Sequence, residues 1–111
     1  MPAIDLATVR SQVSMEQVLT LLGFVPSHRR DNYLRGPCPV HGSRRSQSRT
    51  FWADLTTHRY GCFKCHSTGR HIDLWATVHG LTAHAAAKDL CLRLGLRIPW
   101  LASHRSPQNL D

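Results

Sequence analysis

No apolar run in the sequence approaches the ~20 residues that a membrane-spanning helix needs, so no membrane contact is expected. The N-terminal stretch MPAIDLATVR lacks a basic region followed by an apolar one. A secretory signal is therefore not expected, and a reducing, cytoplasmic setting is. Acidic residues are scarce: 7 Asp+Glu stand against 14 Lys+Arg, a formal net charge of +7. These acids form no paired cluster of the kind that holds Mg²⁺ for phosphoryl transfer, so that chemistry is not expected of the chain alone. No internal repeat is visible. Cysteine is limited to Cys38, Cys62, Cys65 and Cys91. Without a secretory signal, these read as metal or redox chemistry rather than disulfides.

The positive charge is concentrated. Between His28 and Arg70 lie Arg29, Arg30, Arg35, Arg44, Arg45, Arg49, Arg59, Lys64 and Arg70, against Asp31 and Asp54. That segment carries the whole excess, and such a concentration favours polyanions. At 111 residues the chain is expected to form one domain, with a modest core to which a bound metal would matter.

The stretch SMEQVLTLLGF predicts a helix with Ser14 as N-cap, Gln17 as its capping-box partner and Gly23 beyond its end. Met15, Val18, Leu19 and Leu22 give it one apolar face. AIDLATVRSQV before it predicts another turn or two. NYLRGPCP, TFWADLT and RYGCFKC predict three short antiparallel strands, with HGSRRSQSRT as a basic loop between the first two. Two helices should follow. One runs from Ile72 to His79 and ends at Gly80. The other starts after Thr82, presents Ala83, Ala86, Ala87, Leu90, Cys91 and Leu94, and ends at Gly95.

Cys38-x-x-His41 and Cys62-x-x-Cys65 are two tight pairs with twenty residues between them. Two such pairs can close a tetrahedron, and Cys₃His is a standard set for structural Zn²⁺. Iron on the same ligands is the alternative. A redox Cys-x-x-Cys would instead sit at a helix N-terminus, whereas Cys62 and Cys65 lie in a strand-turn. His58, His66 and His71 form no second tight pair and read as supporting or surface residues. Cys91 reads as a core thiol. Four protein ligands leave no open position for a substrate, so the zinc is expected to be structural.

In order, CPVHG, RTFWADL, YGCFKC, TGRHIDLW and LCLRLGLRIP resemble the CHC2-type zinc-binding domain at the N-terminus of bacterial and phage DNA primases. The likeness runs from about Met15 to Pro99. It implies zinc ligands at Cys38, His41, Cys62 and Cys65. It also implies a small α+β fold, a zinc ribbon of three to four short antiparallel strands flanked by helices. Residues 1–13 then read as a partly helical N-terminal extension, 14–99 as the zinc-binding domain and 100–111 as a flexible C-terminal tail. The implied role is binding single-stranded DNA template for primer synthesis, beside a separate primase catalytic subunit or a replicative helicase. SRTF, Lys64 and His66 depart from the family pattern.

Single strands are held by cations and by aromatic rings on which bases stack. Arg44, Arg45, Arg49, Arg59, Lys64 and Arg70 are the expected phosphate contacts. Strand alternation puts Trp52 and Asp54 on one face and Phe51, Ala53 and Leu55 on the other. With Phe51 and Leu55 taken as core, Trp52 and Tyr60 are candidate base platforms, and burial is the alternative for each. The alternative reading is a zinc-ribbon adaptor that docks on a replication protein through the Ala/Leu face of the last helix.

Overall fold

The computed structural model describes residues 3–101. Two short helices open the chain, α1 (Leu6–Gln12) and α2 (Met15–Leu21). Asp5 caps α1 by accepting from the Thr8 amide, and Ser14 and Gln17 form the expected capping box on α2. Five strands follow: β1 (His28–Arg30), β2 (Tyr33–Gly36), β3 (Phe51–Asp54), β4 (Arg59–Cys62) and β5 (Thr68–Arg70). They form one antiparallel sheet in the order β1-β2-β3-β4-β5. Helices α3 (His71–His79) and α4 (Ala83–Leu94) close the fold. Gly80 and Gly95 terminate them at φ 65° and 69°, left-handed values that glycine takes without cost from a side chain.

The sheet has one strand more than the upper expectation. β1 is HRR and β5 is TGR, neither with an apolar alternation to mark it. Both arise from pairing. β1 folds back on β2 through Asp31 and Asn32, with Asp31 at φ 54°, and β5 pairs with β4 just beyond the cysteine turn. Both edges are short and polar, which suits strands with one open side.

Register sorts the faces. Leu34, Ala53 and Tyr60 are successive cross-strand partners, and so are Gly36, Phe51 and Cys62. These side chains point inward. The Phe51 ring packs between Phe24 and Tyr60, at centroid distances of 5.2 and 5.8 Å. Phe51 is fully buried as expected, and Leu55 packs against the core half-buried.

Helices α2 and α3 pack on each other, and α4 lies against α1 and α3. Ala86, Ala87, Leu90 and Cys91 are fully buried in the chain's own core. The Ala/Leu face is thus spent internally, which corrects the expectation that it could serve as a docking surface. The same core takes in Ile4, Val9 and Val13 from the N-terminal residues. Ile4 also bridges to Trp100, and the Asp5 amide donates to the Pro99 carbonyl at 2.7 Å. From residue 102 onward the expected tail lies outside the described residues. Among those residues, no helix is long and apolar enough to cross a membrane.

Two histidines join the N-terminal helices to the rest. His58 Nδ1 accepts from the Met15 amide at 3.0 Å, and buried His71 places Nε2 3.1 Å from the Arg10 carbonyl. The other ring nitrogen of His71 is buried without a partner. Burial lowers the His71 pKa, and the nearby His58 and Arg10 oppose a further positive charge. The neutral ring therefore belongs to the fold, while the unfolded chain protonates near the ordinary histidine value of about 6.5. Stability from this site is present above that value and is lost as pH falls below it. The urea midpoint of the protein should drop between pH 7.5 and pH 5.5 by more than that of a His71→Gln variant. Equal drops would show that His71 does not titrate with unfolding.

Candidate metal centre

The first pair of ligands hangs from the end of β2. Pro37 breaks the strand, and the Ser43 amide donates to the Cys38 carbonyl at 3.0 Å, closing a turn that carries His41. The second pair ends β4. Cys62 is the last residue of that strand, and the amides of Lys64 and Cys65 both point at its sulfur, 3.4 Å away. His66 completes this turn at φ 63° and donates its amide to the Cys62 carbonyl at 3.0 Å. This left-handed conformation is uncommon for residues other than glycine, though histidine is among those that take it more often.

β3 lies between β2 and β4, so the two turns meet at one end of the sheet. Cys38, His41, Cys62 and Cys65 bring their ligand atoms within 4.8 Å of one another. Cys38 Sγ is 3.8 Å from Cys65 Sγ, and Cys62 Sγ is 3.6 Å from His41 Nδ1. A tetrahedron with zinc–sulfur bonds of about 2.3 Å and zinc–nitrogen bonds of about 2.0–2.1 Å has edges of about 3.8 and 3.6 Å. The residues fit one zinc ion, and the Cys₃His donor set is the one expected. Neither His58 nor His71 belongs to this group, since both are engaged at the N-terminal helices.

The electrostatics of the cluster favour a cation. Burial pushes the Cys38 thiol up to about 12, with the neighbouring Cys62 sulfur adding to the effect. At Cys62 burial also raises the pKa, but the Cys65 and Lys64 amides outweigh it and the net shift is downward. The two amides thus favour the charged form of the Cys62 sulfur, and a positive charge between the close-set sulfurs would favour it at its neighbours too. A divalent cation there would tie β2 to β4 through four protein ligands.

The opposite face of the sheet carries two rows of cross-strand neighbours. His28, Arg35, Trp52, Gly61 and Thr68 form one row; Arg30, Tyr33, Asp54, Arg59 and Arg70 form the other. The Trp52 indole lies flat over Gly61. A Cβ added at Gly61 would stand 2.6 Å from Trp52 Nε1, so glycine is what lets the ring lie down. Tyr33 stacks beside Trp52 at 6.0 Å with an interplanar angle of 9°, and the Arg35 guanidinium sits 5.3 Å over the exposed Phe63 ring.

Of the expected DNA contacts, Trp52, Arg59 and Arg70 come together on this outer face. Lys64 is exposed in the turn beside the metal ligands, and Arg44, Arg45 and Arg49 are exposed along the basic loop. Tyr60 does not join them. It lies opposite Ala53 on the inner face, has no exposed surface and shares a hydrogen bond with Ser67 at 2.8 Å. No ring face is free for a base, so Tyr60 is a core residue and not a platform. Tyr33, Arg35, Arg30 and Phe63 take places on the face that the sequence reading did not assign. The alternation in NYLRG, with Tyr33 and Arg35 flanking a buried Leu34, was the available signal. Among the described residues the one ion pair is Arg93–Asp89, far along α4, so carboxylates do not neutralise these arginines.

Over residues 2–106 the chain matches the CHC2 zinc finger family. Its fold is similar to that in the crystal structure of the Aquifex aeolicus primase, which contains zinc-binding and RNA polymerase domains. The TM-score is 0.67 at 19% identity, covering 86% of this chain and 23% of that one. This chain thus spans about a quarter of the length of that protein. Comparison with curated protein sequences gives no match.

A Cys62→Ser variant should lose stoichiometric zinc, read by elemental analysis of the purified protein. It should also lose the cooperative thermal transition in circular dichroism. Full zinc content and an unchanged transition would show that Cys62 is not a ligand.

Proposed function

Because the chain belongs to the CHC2 zinc finger family, a primase-type zinc-binding domain, we propose that it holds single-stranded DNA template on the outer face of its sheet. The observation that carries this reading is the two-row face. Flat aromatic rings at Trp52 and Tyr33 lie among Arg30, Arg35, Arg59 and Arg70, with Asp54 as the lone acid in the rows. Stacked rings take bases of any sequence, and unpaired arginines take the phosphates between them. Lys64 and the loop arginines Arg44, Arg45 and Arg49 add further exposed positive charge.

In this reading the module positions template and carries no polymerase site of its own. Primer synthesis is done by a separate primase catalytic subunit, which holds the metal-binding carboxylates, and the replicative helicase is a further candidate partner. The setting is the cytoplasm. Zinc contributes by fixing the registers that build the face.

Fluorescence anisotropy with a labelled mixed-sequence single strand tests the reading. Trp52→Ala should weaken binding about tenfold or more, since a stacked base is worth roughly 1–3 kcal/mol. Arg59→Ala with Arg70→Ala should weaken binding and flatten its salt dependence. Two lost phosphate contacts reduce the slope of log affinity against log salt by about 1.4. Wild-type affinity and slope in both variants would move the DNA site off this face.

A further inference from the structure

At the β1–β2 edge of the sheet, three positively charged or chargeable side chains from separate segments converge. The basic loop returns to the sheet at Arg49. The Arg49 carbonyl accepts from Arg35 Nε at 3.0 Å and from Arg35 Nη2. The Arg49 guanidinium in turn lies against the His28 imidazole, with Nη2 2.6 Å and Nε 3.0 Å from Nε2. Ser27 Oγ also reaches that ring, 2.9 Å from Nδ1, and donates to the Ser48 carbonyl at 2.7 Å. Beside the cluster, Arg45, Gln47, Ser48, Arg49 and Thr50 line an open cleft of about 260 Å³.

Among the described residues neither arginine has a carboxylate partner. The two guanidiniums are both cationic and repel each other. Here they are held in place by carbonyls and hydroxyls, not by opposite charge. Each guanidinium keeps further donors free, and a forked donor of this kind matches phosphate oxygens in pairs. The Ser48 and Thr50 hydroxyls, 3.1 Å apart, add neutral donors at the same rim.

We propose that His28, Arg35 and Arg49 form a discrete phosphate-binding subsite that anchors one phosphate of a polynucleotide at the sheet edge. This deepens the single-strand reading by naming a fixed anchor beside the stacking face. The ligand chemistry is a phosphate group, from either an internal phosphodiester or a terminal phosphate.

Phosphate binding can be tested apart from DNA. Inorganic pyrophosphate titrated into the zinc-loaded, ¹⁵N-labelled chain should shift the His28 ring and Arg49 Nε resonances in a saturable way. In Arg49→Gln, with zinc content and circular dichroism unchanged, the His28 shifts should vanish. No saturable shift in the wild type, or the same shifts in the variant, overturns the subsite. Oligonucleotides with and without a 5′-phosphate then identify the source. A preference for the 5′-phosphate that Arg49→Gln abolishes assigns a terminal group. Equal affinity for both, about tenfold weaker in Arg49→Gln, assigns an internal phosphodiester. Affinity for both strands unchanged in Arg49→Gln overturns the anchoring of DNA here. If pyrophosphate shifts persist while no strand binds, the DNA reading fails and the subsite stands.

Discussion

Everything in this small fold depends on the join between the ends of β2 and β4. Cys38 and His41 come from one turn, Cys62 and Cys65 from another, and β3 runs between the strands that carry them. The cluster is a poor resting place for three sulfurs without a cation, because burial raises the Cys38 thiol far above its ordinary value. With zinc in place the same sulfurs become a clamp. The clamp sets which residues of β2, β3 and β4 stand opposite one another, and register decides which side chains face the core and which face outward.

That coupling links metal to function. Trp52 can lie flat only because Gly61 stands directly across from it, and Tyr33 stacks on Trp52 only while β2 keeps its register on β3. A slip of one residue would bury Trp52 and expose Phe51. Cations placed by the same two rows would scatter. In a chain of 111 residues, whose core is modest, the metal supplies much of the constraint that a larger hydrophobic core would otherwise provide.

Features encoded within a few residues of one another were readable in the sequence. The ligand pairs are local, so their spacing announced them. The helices showed their caps at Ser14, Thr82, Gly80 and Gly95 and their apolar faces by period. Alternation also placed Phe51 inward and Trp52 outward. What could not be read depended on which strands pair and in what register. The short polar strands β1 and β5 have no hydrophobic pattern and exist because β2 and β4 offer them partners. Alternation put Tyr60 on the side of Cys62, but only the register against Ala53 shows that this side is the core. The convergence of His28, Arg35 and Arg49 has the same origin, since the β1–β2 hairpin and the end of the basic loop meet at one sheet edge.

The central claim is that bound zinc, by fixing register, makes the outer face competent for single-stranded DNA. The direct test is the affinity of the full chain for a labelled single strand when zinc-loaded, after chelation, and after zinc is returned. Binding should be lost with the metal and regained with it, in step with the circular dichroism of the sheet. Unchanged affinity in the zinc-free chain would contradict it.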